Sequence, residues 1–412
     1  MKKPRNNTPV SRPDALNAST IVAVAAFLAA AGAFLTATAQ LPPNARGGGD
    51  SGLQKTLADP APEGTLPLNV EVLAENLAGP WSIAFLPTGD ILVTEKMGRL
   101  RVIRDGALVQ SPVEGVPEVL TWNQGGLFDV LPHPNFDENR TIFLVYAHGD
   151  KKANGTRVAR ATFNGFQLSD LTPIFDAIPT KDTGHHYGGR LVWGPDDKLY
   201  LTVGEGSKYK EKAQDYATSY GAVIRINEDG SIPADNPDFG SDAAPGLWTK
   251  GHRNPQGLAY DAERGVLWEN EHGARGGDEI NIVKKGENYG WPLATYGIDY
   301  NGARITPFTE YDGTTQPVKY WTPSIAPSGL AVYRGDLFPE DWDGDLLVGA
   351  LAGAALHRVD MDGMDVVGEE TFLTGDDRVR DVRVGPEGAI YVATEIRGGA
   401  PGGKILRLTP KS

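Results

Sequence analysis

Six stretches of this chain share one pattern, and that repetition constrains the fold more than any other feature. Each starts on a small or polar residue, runs through an apolar strand, turns on Pro, Asp or Gly, and ends in a second apolar strand. They are 82–95 (SIAFLPTGDILVTE), 126–147 (GLFDVLPHPNFDENRTIFLVYA), 189–205 (GRLVWGPDDKLYLTVGE), 256–271 (QGLAYDAERGVLWENE), 328–350 (SGLAVYRGDLFPEDWDGDLLVGA) and 380–395 (RDVRVGPEGAIYVATE). The spacing leaves room in each repeat for a four-stranded unit and a variable loop. A sandwich could hold the same strands but would not call for six copies. A propeller does, because each blade hides its faces against its neighbours and ring closure limits exposed edges. The expected fold is all-β, a six-bladed β-propeller of four-stranded antiparallel blades over residues 66–412. Helical periodicity is scarce, and 210–220 is the best candidate for a short helix.

The N-terminus bears on the compartment. Lys2, Lys3, Arg5 and Arg12 precede an apolar run over 21–35, and Ala37-Thr38-Ala39 reads as a cleavage site. That is the pattern of a signal peptide, 1–39. The rival is an uncleaved membrane anchor, for which the run is short. Residues 40–65, rich in Pro, Gly and Ala, read as a flexible tether. No later run is apolar for long enough to span a membrane. The expectation is a periplasmic or secreted protein.

Charge and cysteine content then remove whole classes of function. The chain has no Cys, which excludes a disulfide framework, thiol catalysis and Cys-ligated metal centres. Cleavage after residue 39 would leave 35 Lys+Arg and 52 Asp+Glu, a net charge of −17. So acidic a surface repels nucleic acid and anionic lipid.

In a propeller the first strand of every blade delivers residues to one axial pocket, so polar clusters at equivalent places in the repeat can meet. His185-His186 lie in the glycine-flanked run 184–190, just before the first strand of the third repeat, and Glu205 ends the second strand. A carboxylate there could hold an imidazole in one tautomer and raise its basicity, as a general base requires; a capping pair of histidines is the plainer reading. Arg253-Asn254, locked by Pro255, occupy the same place before the fourth repeat and offer a planar donor fork for an anion, or a surface ion pair. Arg378 and Arg380 share one face of a strand before the sixth, and Gln124 precedes the second. Three converging arginines imply a ligand with several negative charges. Finally, 270–281 (NEHGARGGDEIN) combines exposed glycine carbonyls with Asp278 and Glu279. Such oxygen donors suit calcium better than zinc, unless this is an ordinary acidic turn.

Taken together, HHYGGRL (185–191), GHRNPQGLAY (251–260), NEHGARGGDEIN, NYGWPLATYG (288–297) and RVRDVRVGPEG (378–388) resemble the soluble pyrroloquinoline quinone (PQQ)-dependent sugar dehydrogenases, the glucose/sorbosone dehydrogenase family. The resemblance covers most of 66–410 and is nearest to the aldose sugar dehydrogenases. It implies an aldose oxidised at C1 to a lactone, with His186 taking the anomeric hydroxyl proton, Glu205 supporting it, and hydride passing to PQQ. It also implies cofactor contacts at Gln124, Arg253, Asn254, Tyr300, Ala352, Arg378 and Arg380. The backbone carbonyls of Gly273 and Ala274 match ligands of a calcium that polarises the quinone. Glu279, the Tyr289 carbonyl and Asp299 match a second, structural calcium. An external electron acceptor completes the cycle. In two places the chain departs from the pattern. The family often has a lysine where Ala352 stands, and His185 replaces an aspartate of the glucose-specific branch. A six-bladed metal-dependent lactonase and a non-catalytic propeller binding protein or glycan are the alternatives. Preferred sugar and oligomeric state are not written in the sequence.

Overall fold

Within each repeat the second strand is apolar at nearly every position, and the fold shows why. Ile91–Glu95, Leu199–Val203, Leu346–Ala350 and Ile390–Glu395 are buried at every residue, because both faces of a blade are covered by neighbouring blades. Outer strands such as Asp365–Phe372 keep exposed positions. The computed structural model describes residues 46–47, 60–375 and 377–411. The segment expected to be a signal peptide lies outside the described residues, as does most of the expected tether.

Six antiparallel sheets of four strands make the six blades. Their first strands are Pro80–Phe85, Leu127–Pro132, Leu191–Trp193, Pro255–Asp261, Pro327–Val332 and Arg378–Val384. Each touches the first strand of the next blade, and the sixth returns to the first, so they line a closed ring. The ring is closed by a strand that precedes the first repeat. Leu68–Ala78 pairs with Pro401–Pro410 as the outermost strand of blade 6, with Leu68 opposite Pro410 and Val70 opposite Leu408. Just upstream, Pro62 and Gly64 exchange backbone hydrogen bonds with Thr371 of blade 5, and Arg46–Gly47 pairs with Phe308–Glu310.

Each of the six blade interfaces holds its own apolar cluster, for example Val192, Tyr200 and Val223 of blade 3 against Leu258, Leu267 and Val283 of blade 4. Nearer the axis, polar groups lock the blades together. Arg190, 1% exposed, pairs with Asp129 of blade 2 and Asp381 of blade 6 and lies 4.3 Å over the Trp81 ring. Asp129 also accepts Ser82 Oγ and the Leu191 amide, and Asp381 accepts the Ile83 amide. Four blades thus share one buried network with its charges compensated, as burial requires.

The helix expected over 210–220 is a single 3₁₀ turn, Lys210–Gln214, ended where Asp215 turns extended. Among the described residues no helix is long and apolar enough to cross a membrane.

Candidate active site

First strands start and second strands end at the same end of the ring, so the segments upstream of the repeats converge there. In four blades the second strand finishes on or just before a buried glutamate: Glu95, Glu205, Glu271 and Glu395. Each meets a different partner. Glu395 takes Arg378 Nε (3.1 Å) and is gripped by Arg380 through Nε (2.9 Å) and Nη2 (3.1 Å). Both arginines therefore face the same way, across a register shift between Val379 and Asp381.

They open onto a cavity of about 550 Å³, also lined by Gln124, Asn254, Ala274, Tyr300 and Ala352. Its wall carries five cationic side chains, Lys96, Arg275, Arg378, Arg380 and Arg397, against one carboxylate, Glu395. In a chain whose net charge is −14, such a concentration of positive charge calls for an anion. Trp81, Phe128 and Tyr187 add flat apolar surface to the same wall.

Directly behind that wall stands His186. Its neighbours Tyr187 and Gly188 line the cavity, and its amide donates to Gln124 Oε1 at 2.7 Å. The backbone is held at φ +49°, the left-handed region that a residue with a Cβ enters only when its surroundings force it. Gly204 makes room for this: a Cβ there would come 2.5 Å from the His186 carbonyl oxygen. Nδ1 of His186 pairs with Glu205 Oε1 at 2.9 Å; when that carboxyl is ionised Nδ1 is the donor, which leaves Nε2 as the free lone pair. Among the described residues Nε2 has no hydrogen-bond partner. Burial, then the charges of Arg253 and Lys181, hold the imidazole well below its ordinary value, so it is neutral. Burial pushes the Glu205 carboxyl up to about 7, with Arg253 and Lys181 pulling the other way. Lys181, 3% exposed, donates to the carbonyls of His185 and Thr183, and its Nζ sits 3.3 Å over the Tyr187 ring. It clips the turn that carries His186.

A second centre adjoins the first through His272, which lines both. Arg253 is on this smaller cavity, not the larger one; its Nη1 donates to the carbonyls of His272 and Gly273. Glu279 and Tyr289 line it too, with Glu271. Glu271 and Glu269, with His252, place ligand atoms within 4.8 Å of one another. Asn281 Nδ2 bridges Glu269 (3.0 Å) and Glu279 (3.3 Å). Burial, reinforced by Glu271, raises both of those carboxyls well above their usual range. Glu269 Oε1 and Asn281 Oδ1 are buried with no partner. A group of buried oxygens short of positive charge is what a hard cation fits. Asp299 is on neither wall; its carboxylate accepts the Asn301 amide at 3.4 Å in the turn 299–303.

Residues 77–407 match the sequence profile of the family described as Glucose / Sorbosone dehydrogenase. The chain belongs to that family. It is 41% identical over 354 residues to the aldose sugar dehydrogenase YliI of Escherichia coli, covering 84% of this chain and 94% of that one. The crystal structure of the soluble aldose sugar dehydrogenase of E. coli in its apo-form superposes with a TM-score of 0.80 at 40% identity, over 84% of this chain and 100% of the other. A PQQ-bound aldose sugar dehydrogenase from Streptomyces coelicolor superposes at 0.67 with 27% identity, over 83% and 99%. As a member of the glucose/sorbosone dehydrogenase family the chain is a sugar dehydrogenase, which sets aside the lactonase and binding-only alternatives.

Several residues of this dehydrogenase's site escaped the reading of the sequence. Glu395 and Glu271 could have been found from the recurring glutamate at the end of the second strand, the same mark that singled out Glu205. His272 sits inside the glycine-rich stretch 270–281, where nothing local marks it as the residue that joins the two cavities. Lys96 carries no signal in sequence, because only the closed ring brings blade 1 beside the arginines of blade 6; Lys181 lies five residues before His186, and only the folded turn shows its ammonium reaching the Thr183 and His185 carbonyls.

Proposed function

We propose that this sugar dehydrogenase oxidises aldoses at C1 to lactones, with PQQ and calcium as cofactors and His186 as the general base. One observation carries the reading: a neutral histidine, oriented by a carboxylate, stands directly behind a cavity wall with five cations and one carboxylate. The donor set suits a planar tricarboxylate, and the S. coelicolor relative binds PQQ.

Arg378, Arg380, Gln124, Asn254, Tyr300 and the loop at Ala352 would hold the quinone, with Arg253 closing the side toward Gly273 and Ala274. When bound, PQQ supplies the acceptor for hydride from C1, and calcium at the Gly273 and Ala274 carbonyls the charge that polarises it. His186 Nε2 takes the proton of the anomeric hydroxyl as the lactone carbonyl forms. Glu205 keeps the other proton on Nδ1 and stabilises the imidazolium. The strained turn, fixed by Gln124 and Lys181, aims the ring before substrate arrives, which removes an orientational cost from the reaction. A second calcium would sit at Glu279 and Tyr289, where Glu269 and Glu271 add donors that the sequence did not suggest. The N-terminal signal read from sequence puts the reaction in the periplasm or outside the cell.

The test is reconstitution. Purified apo-protein should oxidise aldoses with a dye acceptor only when PQQ and calcium are both supplied. His186→Ala should abolish turnover yet retain PQQ binding. Oxidation without the quinone, or turnover by the variant, would overturn the reading.

A further inference from the structure

Of the cations on the wall of the large cavity, Lys96, Arg275 and Arg397 are given no role by the sequence or the family resemblance, and Lys96 is the one whose charge is felt against both Arg378 and Arg380. Lys96 follows the buried Glu95 at the end of the second strand of blade 1. Its backbone is fixed on both sides: its amide donates to the Gly79 carbonyl at 2.8 Å, and its carbonyl accepts the Leu127 amide at 3.0 Å. The aliphatic stem runs through a slot made by glycines of adjoining segments. A Cβ on Gly126 would come 2.6 Å from Lys96 Cγ, one on Gly79 3.4 Å from its Cβ, and one on Gly399 3.9 Å from its Cδ. A lysine merely solvated at a surface needs no such slot.

The slot delivers the ammonium to the arginine pair. Nζ donates to the Asn123 carbonyl at 2.6 Å, and Asn123 adjoins Gln124 on the same wall. An ammonium has three protons to donate, and among the described residues this one forms no ion pair. Glu395, the carboxylate nearby, is already shared by Arg378 and Arg380. Three cations around one carboxylate leave a surplus of positive charge facing the cavity. Burial and the charges of Arg380 and Arg378 all push the Lys96 ammonium below its usual value, with Glu395 opposing. An anion in the cavity removes that penalty. On the same wall, the loop Leu351–Gly353 of blade 5, whose Leu351 carbonyl accepts Arg378 Nη1 at 2.9 Å, presents no cationic side chain.

We propose that Lys96 is a cofactor-binding residue whose ammonium pairs with a carboxylate of PQQ, supplying from blade 1 the charge that the Leu351–Gly353 loop lacks. This rests on PQQ being the ligand of the cavity.

The experiment measures PQQ binding to full-length apo-protein by fluorescence quenching, in the presence of calcium, for wild type and Lys96→Met. Methionine keeps the stem in its slot and removes the charge. Loss of one charge-assisted hydrogen bond should weaken binding about 10- to 100-fold. The trimethyl ester of PQQ, which has no carboxylate charge, should bind the two proteins equally. Equal affinity of both proteins for PQQ itself overturns the proposal. So does an equal loss for PQQ and its ester, since Lys96 would then only brace the Asn123 turn. Failure of the wild type to bind PQQ at all sinks the quinone reading instead, so the two failures are distinct.

Discussion

Replacing Glu205 by Gln tests how His186 works, because the amide keeps the size and can still accept the Nδ1 proton. Only the charge is lost. A carboxylate and an imidazolium about 4 Å apart attract by about 4 kcal/mol at an effective dielectric of 20. If proton transfer is about half complete in the transition state, about 2 kcal/mol of that is realised, a fall in kcat of about 30-fold. Complete transfer sets the ceiling near a 1000-fold loss, about 4 kcal/mol. The same charge sets a pH limb. Burial pushes the Glu205 carboxyl up to about 7, and its ionised form is the one that supports the base. The rate should therefore rise with pH through about 7. His186, held well below its usual value by burial, stays neutral there and adds no limb. The assay is kcat/KM for a dye-linked aldose oxidation between about pH 5.5 and 9, which reports groups of the free enzyme. Glu205→Gln should lower kcat and flatten that limb. A variant within about threefold of wild type, well under the range expected of general-base support, or one keeping the limb near neutrality, would refute the assignment.

Other parts of the site and fold give further expectations. Arg378→Ala should weaken PQQ binding about 10- to 150-fold with little change in kcat at saturating cofactor, since it removes a charge-assisted contact; unchanged affinity in a titration would count against the anion-binding wall. Arg190→Met leaves Asp129 and Asp381 buried with Arg383 as their one remaining shared cation and should cost about 2–4 kcal/mol; a denaturant midpoint close to wild type would show that the axial network contributes little. Chelation of calcium should lower the melting temperature, because the buried oxygens of Glu269 and Asn281 are then left without the cation that satisfies them. Glu269→Gln should raise the melting temperature of the calcium-free protein and shrink its response to calcium. Indifference to chelator would remove the cation from the second centre.

How much of this was legible beforehand depended on whether the signal was local. The recurring pair of apolar strands is local, and it announced six blades before any pairing was known. His186 and Glu205 are 19 positions apart on one hairpin, so their meeting could be read from the repeat. Arg378 and Arg380 are readable as a pair, whereas their common anchor Glu395, which closes the same repeat, is marked by nothing local and only by the glutamate recurring at that place in other repeats. Asp299 is the opposite case. The family resemblance matches it to a metal ligand, and its carboxylate accepts the Asn301 amide in the turn 299–303, while Glu269 and Glu271, two residues apart on a strand, meet at the second centre. The short helix over 210–220 shrank to one turn because Asp215 leaves the helical region.

By itself the sequence determined the number of blades, the acidic surface, the absence of thiol chemistry and the register that brings polar residues to one end of the ring. Those follow from composition and from strand periodicity, which act over a few residues. Tertiary structure alone decided that the outermost strand of the last blade comes from Leu68–Ala78, that Arg190 ties four blades at the axis, and that Lys96 points into a wall of arginines. These depend on closure of the ring, which sets side chains hundreds of positions apart at contact distance, and on burial, which pushes the Glu205 carboxyl up to about 7 and the Lys181 ammonium down to about 7.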